Sequence, residues 1–336
     1  MTSTTTRRAV CFGEALIDFV AEPPTAGRPR AFLQHAGGAP ANVAVALARL
    51  GDAVEFVGML GADAFGDFIA ERLRAFGVGT AHVRRTDAAP TALAFVSIDA
   101  AGERSFAFYR PPAADLLFRD EHFDAASFDA CGVFHACSNS LTEAAIAETT
   151  LSGMRRARAA GALVSFDVNL RPALWPRDVD PLPRVRAALA LADLVKLSRE
   201  ELAFLARDRD EEAALASLWT GATRLAVVTD GAAPVRWHTP DRHGTVPTFA
   251  VTAVDSNAAG DAFVGGLLHA LLGAGIAAAE LPAFAADAAR RDAALRFAAA
   301  CGAHAVTRAG AFAAMPARDE VEALLAARAR PREACR

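Results

Sequence analysis

Short runs of Val, Phe and Leu recur along the chain and alternate with longer stretches whose apolar residues return at the helical period. The runs at 10–12, 55–57, 133–136, 163–166, 194–197 and 225–229 predict strands, and the stretches at 41–50, 66–76, 143–160, 261–272 and 291–307 predict helices. Strands alternating with helices in this way build βα units around a mainly parallel sheet. Two regions break the rhythm: 21–35, with three prolines, and 91–110, which reads as two strands around a turn at 99–102. Neither is followed by a helix of its own, so both are expected outside the main sheet, as strands and loops of a small β flap. The weakly polar stretch 262–279 is long enough to raise the question of a membrane span. Its Gly265, Gly266, Gly273, Gly275, His269 and many alanines read instead as a buried core helix.

With 336 residues, 53% of them hydrophobic and 22% charged, the chain can bury a large core as one α/β domain with a small appendage. A net charge of -4 offers no broad basic surface for nucleic acid, and the arginines are scattered. Of the 35 basic residues only Lys196 is a lysine. The five cysteines form no CxxC pair, and four of them lie in apolar segments, which points to a reducing, cytoplasmic setting. No signal-peptide core precedes Glu14 and Asp18.

Three segments carry candidate chemistry. In Asp255-Ser256-Asn257-Ala258-Ala259-Gly260-Asp261, small residues let the amides of 258–260 converge at a helix N-terminus, where unsatisfied N–H groups and the helix dipole attract an anion such as a phosphate. Asp261 would stand beside that anion and could accept the proton of an attacking hydroxyl. Alone, it is as readily a helix-capping acid. The segment Gly37-Gly38-Ala39-Pro40-Ala41-Asn42 permits close approach of backbone to a ligand, although a Gly-Gly turn before a helix is common turn chemistry. Asp18 follows the first strand, where ligands bind in open α/β sheets, but an isolated acid there is more often solvated. The chain has no GxxxxGK[ST] and no protein-kinase catalytic loop, HExxH, GxSxG or GxGxxG after its first strand, which excludes P-loop kinases and Rossmann dehydrogenases.

Together, in this order and about 200 residues apart, the Gly37-Gly38…Asn42 and Asp255…Gly260-Asp261 segments resemble the paired signatures of the ribokinase-like, or PfkB-type, carbohydrate kinases. The resemblance extends over roughly 10–321 and within the family is closest to the fructokinases, through 11–20, 37–45, 91–96, 108–110, 167–171, 174–176 and 196–201. It implies a three-layer α/β/α sandwich with a mainly parallel central sheet and a small β lid. The catalytic domain would comprise 8–20, 37–90 and 112–330, the lid 21–36 and 91–111, and the tails 1–7 and 331–336.

The same resemblance implies an ATP- and Mg²⁺-dependent sugar kinase, with fructose as the expected acceptor and 2-keto-3-deoxygluconate, read by Tyr109-Arg110, or another sugar or nucleoside as the alternative. A non-catalytic sugar sensor is the reading from a different class. Asp261 would be the base and Ala258, Ala259 and Gly260 the anion hole; Asp18, Gly37, Gly38, Asn42, Phe108, Arg110, Asn169 and Arg171 would surround sugar and phosphate. Lys196, Ser198, Glu201, Thr229, Gly231 and Gly260 would meet ATP, with Glu201 reaching Mg²⁺ through water. Asp255, Ala305, Arg308 and Gly310 would cradle a monovalent cation such as K⁺. A homodimer is expected, with no nucleic-acid or membrane partner.

Overall fold

The computed structural model describes residues 7–22, 27–98, 104–207 and 209–329. The expected turn at 99–102, most of the N-terminal tail and the C-terminal tail lie outside the described residues. The strands are β1 (Arg8–Phe12), β2 (Leu16–Ala21), β3 (Phe32–Gly37), β4 (Val54–Gly61), β5 (Val83–Thr86), β6 (Leu93–Ile98), β7 (Arg104–Tyr109), β8 (Cys131–Cys137), β9 (Leu163–Asp167), β10 (Leu194–Ser198), β11 (Leu225–Thr229), β12 (Val235–His238) and β13 (His243–Val246). The helices are α1 (Ala39–Leu50), α2 (Ala64–Ala75), α3 (Ala144–Ala159), α4 (Leu182–Leu189), α5 (Arg199–Ala206), α6 (Glu211–Leu218), α7 (Ala259–Gly273), α8 (Leu281–Ala286), α9 (Ala288–Ala305) and α10 (Arg318–Ala329).

Nine strands form one sheet in the order β13-β12-β11-β10-β9-β8-β1-β4-β5, parallel from β11 to β5 and closed at one edge by the antiparallel β12–β13 hairpin. Side chains alternate across it. Ala9, Cys11 and Phe56 face a core shared with α1, α2, α7 and α9, whereas Val10, Phe12 and Phe166 face a second core shared with α3, α4, α5 and α6. Because both faces are covered, the strands read as nearly unbroken apolar runs, which is why sequence pattern finds them.

Small residues let α7 pack tightly on its neighbours. A Cβ at Gly265 would collide with Ala46 of α1, and one at Gly266 would lie 2.7 Å from Cys301 Sγ of α9.

A second, four-stranded sheet has the order β3-β2-β6-β7, with β2 parallel to β6 and the outer pairs antiparallel. Its extent corrects the boundary at residue 20: Leu16–Ala21 pairs residue for residue with β3, and Ile17 to Val20 with β6, so 16–20 belongs to the small sheet. Both excursions from the main sheet enter this one, at β3 and at β6–β7.

Candidate active site

A cavity of about 440 Å³ opens at the carboxyl ends of the parallel strands, where open α/β sheets bind their ligands. Its wall includes Glu14 just past β1, Asn169 and Arg171 past β9, Lys196 and Ser198 on β10, Thr229 at the end of β11, and the amino ends of α1 and α7. Asp18 and Phe108 reach it from the small sheet.

The helix α7 begins after Ala258, whose φ of +58° turns the chain sharply at a position sequence propensity would assign to the helix itself. The first backbone bond of the helix runs from the Ala262 N–H to the Ala258 carbonyl, which leaves the amides of 259–261 without an intrahelical partner. Asp261 lies in this first turn, 8% exposed, and its Oδ2 accepts the Asn42 side-chain amide at 2.7 Å. Burial raises the Asp261 carboxyl above its ordinary value; the Asn42 bond and the charges of Arg171 and Lys196 pull it back down.

Gly38, the residue before α1, has a φ of +106°, and a Cβ there would lie 2.6 Å from the Glu14 carbonyl oxygen. Only glycine meets both demands. This brings the Ala39 N–H to Glu14 Oε1 at 3.1 Å, while the Asn139 side-chain amide donates to the same oxygen at 2.9 Å. Glu14 is 1% exposed, and burial lifts its carboxyl despite the Arg110 charge and the Asn139 bond. Among the described residues, Asn42 Oδ1 and Asn139 Oδ1 are buried without a hydrogen-bond partner, and both residues line the cavity.

On the opposite wall the Ser198 hydroxyl and the Glu201 carboxylate cap α5 reciprocally. The two Glu201 oxygens accept N–H groups from Leu170 at 2.8 Å and Ser198 at 2.7 Å. Lys196 Nζ reaches Asp167 at 3.2 Å.

Most of the residues singled out by sequence therefore meet in one place, but not all. Arg110 is fully buried away from the cavity, with its Nε and Nη2 on Asp115 Oδ2 at 2.9 and 2.6 Å and its Nη1 near the Thr142 hydroxyl. Tyr109 points outward, 66% exposed. Gly37 stands behind the wall against the Asp18 carboxylate, and Ala259 and Gly231 do not line the cavity.

Asp255, Ala305, Arg308 and Gly310 form a separate neighbourhood. Asp255 Oδ2 accepts the Gly310 N–H at 3.0 Å, the Ala305 carbonyl accepts the Arg308 N–H, and the Arg308 side chain turns to Glu320 at 2.6 Å. No cluster of three His, Cys, Asp or Glu that could hold a metal occurs among the described residues.

Sequence reasoning gave no separate role to Glu14, Asn139 or Asp167. Glu14 and Asp167 stood inside motifs quoted for the resemblance, and their burial was the missing signal.

A carboxylate at a helix amino end, facing a polar cavity above a doubly covered parallel sheet, is an arrangement that suits a small-molecule kinase, with a proton acceptor beside an anion site. A family model described as pfkB family carbohydrate kinase matches residues 6–318, and the chain belongs to that family. Fructokinase-1 of Zea mays is 41% identical over 321 residues, covering 94% of this chain and 97% of its own length. The crystal structure of fructokinase with bound ATP from Xylella fastidiosa has a TM-score of 0.93 and 57% identity, covering 97% of this chain and 100% of that one. That of fructokinase from Vibrio cholerae O395 in a fructose, ADP and calcium ion bound form has a TM-score of 0.82 and 32% identity, covering 95% and 99%. The fold is thus ribokinase-like. Among the described residues no helix is long and apolar enough to cross a membrane.

Proposed function

We propose that the protein is an ATP-dependent fructokinase converting D-fructose to fructose 6-phosphate, with Asp261 as the base. The observation that carries this reading is the buried Asp261 carboxylate beside the unbonded amides at the start of α7, in a chain whose relatives are named fructokinases. The hydroxyl oxygen bonds to the γ-phosphorus as the bridging P–O bond to ADP breaks. The electron pair leaves with ADP, and the hydroxyl proton passes to Asp261. Amides at a helix amino end stabilise the charge on the transferring group. Asp18, Gly38 and Asn42 take the sugar, for which the two orphaned amide oxygens, Asn42 Oδ1 and Asn139 Oδ1, supply acceptors. Asn169 and Arg171 lie toward the phosphate, and Ser198 and Thr229 toward the nucleotide.

Mg²⁺, when bound, neutralises the phosphate charge. Glu201 suits it through water, because backbone N–H groups already engage both carboxylate oxygens. Asp255 and the 305–310 segment suit a monovalent cation, supported by the join between Asp255 and Gly310. The small sheet, residues 16–21, 32–37, 93–98 and 104–109, acts as the lid, with Phe108 and Asp18 on its cavity side. Exposed Leu33 and Tyr109 on that sheet support a homodimer, which light scattering tests; a monomer would dismiss it. Among the described residues, the buried free thiols of Cys11, Cys131, Cys137 and Cys301 suit a reducing cytoplasm.

A coupled ADP-release assay over fructose, 2-keto-3-deoxygluconate, ribose and inosine tests the acceptor. Fructose is expected to dominate, since Arg110, the group that would read a sugar acid, is engaged by Asp115. Preference for the acid by more than about tenfold would displace fructose.

A further inference from the structure

A second cavity, of about 740 Å³, lies between α6 and the β12–β13 hairpin and shares no lining residue with the active site. Glu211, Glu212 and Trp219 line it from the helix side, and His238, Asp241 and His243 from the hairpin. Because β12 runs antiparallel to β11 and pairs His238 with Ala226, this cavity reaches toward the amino end of β11, whereas Thr229 at the other end lines the active site. His238 and His243 are register partners on the two strands. The turn between them is tied twice: the Thr239 N–H donates to the Arg242 carbonyl at 2.7 Å, and the Arg242 N–H donates to the Thr239 hydroxyl at 3.0 Å. Bonded and unbonded pairs alternate along an antiparallel ladder, so the histidine pair next to this turn takes the position where side chains stand closest. Their ring centroids are 6.0 Å apart, with planes 29° from parallel. Two imidazoles sharing one ion through bonds of about 2.0–2.1 Å have centroids roughly 5 to 6 Å apart, so a turn of the exposed His243 ring meets that geometry.

The chemistry of the pair points the same way. The buried Nε2 of His238 has no hydrogen-bond partner, and a buried polar atom left so calls for an ion, a ligand or a water. Burial, and then the charges of Arg236 and His243, hold His238 below the ordinary imidazole value, which keeps it neutral at pH 7 with a lone pair to give. Arg236 is turned to both carboxylate oxygens of Glu211. With Glu211, Glu212 and Asp241 set against Arg236 and Arg242, the wall carries no net positive charge to repel a cation.

We propose that His238 and His243 bind one divalent transition-metal ion of the Zn²⁺ class across the turn end of the hairpin. No third His, Cys, Asp or Glu completes a cluster among the described residues, so water fills the remaining positions. Imidazole nitrogens select such an ion over Mg²⁺, which prefers oxygen, and the site is therefore separate from the metal of the kinase reaction. An ion held between two neighbouring strands ties the hairpin that closes one edge of the main sheet, and it stabilises the folded chain in proportion to its occupancy.

Calorimetric titration of the metal-free full chain with ZnCl₂, in buffer without nucleotide, is expected to show one equivalent bound with micromolar affinity. An excess of MgCl₂ should not displace it. His238→Gln and His243→Gln should each weaken binding by at least the roughly tenfold that losing even a supporting group costs a metal site, and the double variant should bind no more weakly than the worse single one. Cu²⁺ in place of Zn²⁺ gives a second readout: its electron paramagnetic resonance spectrum should carry splitting from two imidazole nitrogens in the wild type and from one at most in either variant. Absence of saturable Zn²⁺ binding, binding that persists in both variants, displacement by Mg²⁺, or a single-nitrogen wild-type spectrum overturns the assignment. Should His238→Gln not fold, His243→Gln, an exposed change beside the turn, decides alone. These readouts need no turnover, so a failed fructokinase assay would leave them standing.

Discussion

Asn42 donates its side-chain amide to Asp261 Oδ2 at 2.7 Å, joining the amino ends of α1 and α7 across 219 residues of sequence. The bond aims the carboxylate and leaves its other oxygen open toward the cavity. Asp261→Asn keeps the shape and removes the proton acceptor, so kcat should fall by roughly 10² to 10⁴ while circular dichroism and Tm stay near wild type. Turnover close to wild type in a folded variant would remove Asp261 from the base role.

The same pair sets a pH dependence. A base must be ionised, and burial places the Asp261 carboxyl above the ordinary value of about 3.9, so kcat is lost as pH falls through that raised value. The Asn42 bond is one of the forces holding the value down. Asn42→Ala should therefore shift the acid limb of the kcat profile to higher pH. A limb that moves to lower pH, or does not move, would contradict the pairing.

Gly38→Ala tests the turn before α1. The φ of +106° strains any side chain, and the new Cβ meets backbone, the Glu14 carbonyl, which cannot swing aside. A cost of about 1–3 kcal/mol is expected, read as a lower urea midpoint with an unchanged m value. An unchanged midpoint would mean that the loop relaxes freely.

Arg110→Ala leaves Asp115 buried and uncompensated, which should cost about 3–5 kcal/mol in thermal or urea unfolding. A second change, Asp115→Asn, should restore part of that loss, whereas independent sites would simply add. The pair therefore reports on support of the wall and not on substrate charge.

Much of this architecture is legible in sequence where burial on both sides of the sheet leaves an apolar signature. It fades where that signature does. The β12–β13 hairpin carries Arg236, His238, His243 and Thr245 on short, half-covered strands, and helices such as Arg199–Ala206 and Glu211–Leu218 span too few turns to show a period. Leu16–Ala21 looks like an extension of the first strand until its partners are known.

At the site, the Asn42 and Asp261 motifs are readable because their glycines and small residues are local in sequence. Asp167 is different. Its meaning lies in contacts with Lys196, 29 residues on, and with a backbone amide, neither of which any spacing encodes. Arg110 misleads for the opposite reason: its neighbour Phe108 lines the cavity while Arg110 itself turns inward to Asp115.

The tight seating of α7 determines which partner travels during a catalytic cycle. With no room for a Cβ at Gly265 beside Ala46 or at Gly266 beside Cys301, the helix is closely seated between α1 and α9, and Asp261 sits on that seat like a tool on an anvil. On the proposed reading of Asp261 as base, approach of the acceptor hydroxyl is expected from the sugar's side, with the sheet that bears Asp18 and Phe108. Amide hydrogens bonded within α7, from Ala262 onward, should accordingly exchange only when the whole molecule unfolds, and those of the small sheet much sooner.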